Sequence, residues 1–131
     1  MTVDSFVALA RKDFFDGTTI HRVVPDFVVQ AGDPRGDGTG GPGYALRDEL
    51  NGRPYVRGTV GMALSGPDTG GSQWFVTLSR QPHLDGAYTD FGEVTAGLEV
   101  VERNEQNARL LSVRVREEER EAPPGLAPGP R

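Results

Sequence analysis

Arg22 and Gln30 stand in a segment otherwise rich in apolar and β-branched residues, Ile20-His21-Arg22-Val23-Val24-Pro25-Asp26-Phe27-Val28-Val29-Gln30-Ala31-Gly32-Asp33. An Arg drawn into such a run is expected to be buried or half-buried, which is rare for Arg unless it is paired. The guanidinium stays charged and presents a rigid fork of donors. On this segment alone two readings stay open, a structural ion pair on a strand or stabilisation by a fixed cationic hydrogen-bond donor. The chain has no cysteine, which excludes disulfides, zinc–thiolate sites and a Cys nucleophile. Its two histidines, His21 and His83, are too few for a multi-His metal site. Successive strand side chains point to opposite faces, so His21 faces away from Arg22 and reads as structural.

The elements that must position these residues are mostly short strands. Thr2 is the expected N-cap of a first helix, with Val3, Phe6, Val7 and Ala10 inward and Arg11 and Lys12 near its C-terminal end. Asp16-Gly17 marks a turn. Strands are expected over residues 19–24 and 27–30, separated by a break at Pro25-Asp26. Further strands are expected over residues 59–64, 73–78 and 88–94, and a last one over residues 110–115. A short helix over residues 98–103 would turn Leu98 and Val101 inward. Residues 32–43 form a Gly-rich surface loop with few apolar anchors, and Asp85-Gly86 marks another turn. This order gives a mainly β protein, a barrel capped by helices. Residues 1–116 form one domain, and residues 117–131 have the charged and Pro/Gly-rich composition of a disordered tail.

Composition sets the class. The 131 residues suit one domain with a modest core, and 36% hydrophobic and 25% charged residues are ordinary for a soluble globular chain. A formal net charge of -5 argues against nucleic acid as a partner. No apolar run approaches membrane-spanning length. No charged-then-apolar leader opens at Met1, so the expected compartment is the cytoplasm.

Several literal motifs fail on context. Gly36-Asp37-Gly38-Thr39-Gly40-Gly41 satisfies the dinucleotide-binding spacing, but Pro42-Gly43 follows where a helix should begin. Asp68-Thr69-Gly70 matches an aspartic-protease triplet, yet that chemistry needs two such carboxylates sharing a proton. Asp90-Phe91-Gly92 matches a kinase triplet in a chain with no catalytic loop. The run Glu117-Glu118-Glu119 reads as solvated surface rather than a metal site.

Three ordered segments carry a resemblance. The first is the Arg22–Gln30 segment. The second is Gly61-Met62-Ala63-Leu64-Ser65-Gly66-Pro67-Asp68-Thr69-Gly70-Gly71-Ser72-Gln73-Trp74-Phe75, and the third is Leu84-Asp85-Gly86-Ala87-Tyr88-Thr89-Asp90-Phe91-Gly92-Glu93-Val94. From about Thr2 to about Val115 the chain resembles the cyclophilins, the cyclosporin-binding class of peptidyl-prolyl cis-trans isomerases, in a bacterial-type form. The resemblance implies an eight-stranded antiparallel β-barrel capped by helices. It implies isomerisation of X-Pro bonds in peptides or unfolded proteins, with no cofactor and no metal.

Carried over by position, the resemblance nominates Arg22 as the catalytic residue, with Gln30 orienting the prolyl peptide and holding Arg22. Phe27, Val28, Phe75 and Leu84 would form the pocket for the proline ring. Ala63, Leu64 and Gln73 would line the groove for the residues before proline. His83, at the pocket rim, stands where many eukaryotic members have Trp, and Tyr88 where they have His. The His83 difference leaves only weak binding of cyclosporin-type ligands to be expected. Asp90 takes a usually aliphatic position, and its carboxylate must reach solvent or a partner or destabilise the strand.

The family barrel begins with a β-hairpin, whereas this sequence starts at the helix that follows it. Two strands are therefore expected to be absent, leaving an incomplete barrel with unpaired backbone. Two readings stay open on the sequence: an active isomerase, or a cyclophilin-like module or fragment that binds Pro-containing peptides without useful turnover.

Overall fold

The alternating segments assemble into one antiparallel sheet of five strands in the order β1-β2-β4-β3-β5. The strands are β1 (Arg22–Val24), β2 (Val28–Ala31), β3 (Thr59–Met62), β4 (Trp74–Thr77) and β5 (Asp90–Glu93), with helices α1 (Thr2–Arg11) and α2 (Leu98–Arg103). The computed structural model describes residues 1–65 and 68–117. Most of the expected tail and the Gly66-Pro67 pair of the second motif lie outside the described residues. Among the described residues β1 and β5 each pair on one side only, so the sheet is open.

Register decides what faces the site. Arg22 pairs with Gln30, Gln30 with Phe75, and Phe75 with Gly61. Directly paired positions share a face of the sheet, so these residues form one row across β1, β2, β4 and β3. The next row holds Val24, Val28 and Thr77. On this face Val28, Tyr55, Phe75 and Leu84 form a buried apolar cluster. Val29 and Ala31 point the other way and pack with Ile20 and Leu78, where Val101 of α2 joins them. Leu9 and Ala10 of α1 form a third cluster with Phe15, against which Trp74 packs. The helices thus pack on the clusters opposite the row that carries Arg22.

Three local expectations are corrected. Thr2 lies inside α1, and the N-cap is Met1 without a side-chain cap. Both the backbone N–H and the hydroxyl of Thr2 donate to the Glu49 carboxylate. A loop carboxylate at the positive end of the helix supplies what a capping side chain would have. The inward face is also rotated: Val3 is 51% exposed, while Leu9 is buried. Thr2, Phe6, Leu9 and Ala10 define it, at i, i+4, i+7 and i+8.

The last strand is the third. Residues 110–115 are not in a strand, and an isolated bridge pairs Thr19 with Arg109. Leu110 donates its N–H to the Thr18 carbonyl at 2.8 Å, and its own carbonyl accepts from Gly17 at 2.7 Å. Beyond Leu110 the side chain of Asp16 replaces a backbone partner, accepting the Val113 N–H at 3.1 Å and the Arg114 guanidinium at 2.9 Å. The Val113 N–H, then Arg114, hold the Asp16 carboxyl below its usual range. Val113 and Val115 still pack on the cluster under α1, so the alternation was real although no ladder formed.

Asp90 meets the cost anticipated for it. It is 8% exposed, and burial raises its pKa above the usual carboxylate value against the pull of Arg53 and the Gly92 N–H. A folded-state pKa above the unfolded one means that the native state binds the proton more tightly. Asp90 therefore favours folding below the unfolded pKa, and that contribution is lost as pH rises through the folded pKa. Asp90→Val is expected to raise the thermal midpoint at pH 7, with the gain shrinking as pH falls towards 4. Scanning calorimetry at both pH values checks it, and a midpoint lowered at pH 7 would contradict it.

Candidate active site

The β1–β2 turn sets the first wall. Pro25 fixes one dihedral, and Asp26 takes a positive φ of 62°, which short polar side chains tolerate. Phe27 closes the turn by donating its N–H to the Val24 carbonyl at 3.1 Å. Ser79 pins the turn from outside, its hydroxyl donating to the Asp26 carbonyl at 2.5 Å. Arg22 sits with its guanidinium carbon 5.8 Å from the centroid of the Phe27 ring. A guanidinium over an aromatic face is held by the ring quadrupole.

Arg22 is exposed rather than buried or half-buried, because β1 is an edge strand and the guanidinium lies at a pocket mouth. Its partner is Gln30, whose Oε1 accepts from one Arg22 nitrogen at 3.4 Å. The pocket, about 160 Å³, is lined by Arg22, Gln30, Phe27 and Tyr88 together with Ala63 and Leu64. Val28, Phe75 and Leu84 complete the lining and are at most 5% exposed, so they make its floor. The site is an apolar cup with one fixed cation and one amide at its edge.

A longer groove of about 720 Å³ adjoins the cup. The two share Gln30, Ala63 and Leu64, and the groove continues past Gln73 along the Gly-rich loop. The structure brings Ala63, Leu64 and Gln73 together in this groove. His83 does not line the cup. It is exposed, with its ring centroid 5.8 Å from that of Phe27, and so stands on the rim. His21 is half-buried, and its ring nitrogens make no hydrogen bond among the described residues.

The floor depends on residues that sequence reasoning missed. Tyr55 is fully buried, and its ring stacks on Phe75 at 5.7 Å between centroids. Its hydroxyl donates to the Tyr88 carbonyl at 2.9 Å. Gly61 makes this stack possible: a Cβ there would lie 2.5 Å from the Tyr55 hydroxyl and 2.6 Å from the Phe75 ring. Asp85 holds the chain on either side, accepting the Tyr55 N–H at 2.7 Å and a two-pronged contact from Arg80. Arg80 first, then the Tyr55 N–H, push the Asp85 carboxyl down to about 2. Burial, then the charge of Asp90, drives the Tyr55 phenol above its ordinary value. Tyr55 follows Arg53-Pro54 in a loop with no periodicity, so no pattern announced it.

An open antiparallel sheet carries an apolar cup with an Arg–Gln pair at its mouth, a mainly β architecture of the kind that the three motifs implied. The family model described as cyclophilin type peptidyl-prolyl cis-trans isomerase/CLD matches residues 1–123. The chain is 48% identical over 116 residues to peptidyl-prolyl cis-trans isomerase B of Bacillus subtilis, covering 87% of this chain and 81% of that protein. It is 47% identical over 116 residues to a peptidyl-prolyl cis-trans isomerase of Synechococcus elongatus, covering 87% and 80%. A crystal structure of a Cryptosporidium parvum cyclophilin type isomerase, determined in the presence of the dipeptide Ala-Pro, superposes with a TM-score of 0.74 at 35% identity. That match covers 78% of this chain and 71% of the other. The chain belongs to the cyclophilin-type peptidyl-prolyl cis-trans isomerase family.

Proposed function

We infer that the chain accelerates rotation about X-Pro peptide bonds and so assists protein folding, with Arg22 as the catalytic group and the Phe75-floored cup as the proline pocket. The row Arg22–Gln30–Phe75 carries this reading, since it sets a permanent cation beside an apolar pocket. A barrier of about 18–20 kcal/mol arises from the partial double bond of the amide. No bond breaks during rotation, so no nucleophile, general base or metal is required. The catalyst must favour the twisted amide over both planar forms.

In the twisted state the proline nitrogen pyramidalises and regains its lone pair. A guanidinium donor at the pocket mouth bonds to that nitrogen and has no such acceptor in the planar amide. The cup grips the ring through Phe27, Val28, Phe75 and Leu84 while the preceding carbonyl turns. Gln30 takes one Arg22 donor and steers the remaining ones over the cup. A rate gain of about 10⁵ needs roughly 7 kcal/mol of differential stabilisation. One charge-assisted hydrogen bond supplies about 1.5–3 kcal/mol, so exclusion of water by the cup and binding along the groove supply the remainder.

Pro-containing peptides and unfolded segments are the substrates of this reading. The Ala-Pro dipeptide present with the Cryptosporidium relative supports it. Cyclosporin-type ligands would bind weakly, with His83 rather than Trp on the rim. Exchange spectroscopy by NMR on a short X-Pro peptide, with the protein substoichiometric, tests the function. Enhanced cis/trans exchange is expected, and exchange at the uncatalysed rate would leave a peptide-binding module only.

A further inference from the structure

We propose that Asp33, a buried carboxylate outside the lining of both cavities, is a positioning residue for Arg22 and acts through the Gly-rich loop and the Gln73–Gln30 amide pair. The proposal rests on the assignment of Arg22 as the catalytic group.

Asp33 is 0% exposed. Its Oδ1 accepts the Arg35 N–H at 2.8 Å, and its Oδ2 accepts those of Asp37 at 3.0 Å and Gly38 at 2.5 Å. A buried carboxylate is tolerated when its charge is matched by such bonds. Here the donors all come from the loop that Asp33 begins, so the loop is wound around its carboxylate. The root of the loop is equally fixed. Gly32 has a φ of 92°, and a Cβ there would lie 2.1 Å from the Ser72 carbonyl oxygen. The Ser72 hydroxyl donates to the Gly32 carbonyl at 2.6 Å.

The polarity of the chain of bonds follows from Arg22. A guanidinium has donors only, so Gln30 must turn its Oε1 towards it. Gln30 Nε2 then points away and donates to Gln73 Oε1 at 3.1 Å. Gln73 Nε2 must in turn find acceptors, and it finds the carbonyls of Gly38 at 3.0 Å and Gly40 at 2.9 Å. Those carbonyls belong to the same loop whose Asp37 and Gly38 N–H groups Asp33 holds from the other side. Reversing either amide would set donors against donors. The position of the two acceptors that end this chain of bonds therefore depends on the anion that holds the loop from behind. Asn at this position would place an NH₂ among backbone N–H groups.

The test uses the full chain and a short X-Pro peptide. Asp33→Asn and Gly40→Ala are made alone and on a Gln73→Ala background. Gly40→Ala presses on the same group by another route, since its Cβ would lie 2.1 Å from Asp33 Oδ1. Each single variant is expected to lower kcat about tenfold, as loss of alignment by a fraction of an ångström does, with KM changed less than about twofold. On the Gln73→Ala background each is expected to cost less than about twofold, because the relay is already cut. Relaxation of the Arg22 Nε–H should show a less ordered side chain in Asp33→Asn. Unchanged kcat, equal losses on both backgrounds, or an unchanged Arg22 order would overturn the proposal. Gly40→Ala carries the test if Asp33→Asn does not fold. Arg22→Ala, run in parallel, separates the two levels. Full activity in that variant removes the role of Arg22 itself, whereas lost activity together with multiplying Asp33 and Gln73 effects removes only the relay.

Discussion

Replacing Arg22 by Ala is expected to lower kcat/KM on an X-Pro peptide by about 10- to 100-fold while leaving the thermal midpoint nearly unchanged. The size follows from one charge-assisted hydrogen bond, about 1.5–3 kcal/mol, at 1.36 kcal/mol per factor of about ten. The stability side follows from position. Arg22 is exposed on an edge strand, with a 3.4 Å bond to Gln30 and the Phe27 ring as its contacts. Substitutions at such surface positions usually stay within about 0.5 kcal/mol. The loss should fall on kcat, since the substitution leaves Phe27, Val28, Phe75 and Leu84, the proposed grip on the proline ring, in place. Lys at position 22 should not restore the rate, because an ammonium lacks the fork that engages Gln30 and the amide nitrogen together. NMR exchange with a parallel melting curve checks both halves, and an unchanged rate would move the catalytic role elsewhere.

What the sequence made legible was what short-range pattern and composition carry. All five strands fell within segments rich in β-branched and aromatic residues bounded by Gly, Pro and Asp turn signals. Pro25-Asp26 marked its turn through local backbone chemistry alone. The residues of the cup were legible because three motifs travel together, and register then set Arg22, Gln30 and Phe75 in one row. The exposure of Arg22 was not legible, since an edge strand and a central one can share the same alternation. Thr2 was misplaced because its acceptor, Glu49, is remote in sequence. Residues 110–115 alternate as a strand does, yet strand pairing depends on a neighbouring backbone, and here Asp16 offers a side chain instead. Tyr55 shares this blindness, being a single loop residue whose partners Asp85 and Tyr88 lie far along the chain.

Tyr55→Ala is expected to be the most destabilising of these substitutions, by about 3–5 kcal/mol, out of a total of about 5–15 kcal/mol for a domain of this kind. The side chain is fully buried, stacked at 24° on Phe75, with Tyr88 edge-on to Phe75 at 86°. Removing the ring opens a void under the floor of the cup. The Phe75 ring can then tilt into that void and away from the cup, so binding and turnover should fall with stability. Tyr55→Phe separates the two contributions. It keeps the stacked ring and loses only the hydrogen bond to the Tyr88 carbonyl, a cost of about 0.5–1.5 kcal/mol. The floor should then hold, with exchange rates within a few-fold of the parent. Denaturant midpoints for both variants, set beside NMR exchange, check the ordering. If Tyr55→Ala cost no more than Tyr55→Phe, the ring would not be supporting Phe75. Phe75 would then keep its place in the floor without Tyr55, and the close approach that makes Gly61 necessary would have no function at the site.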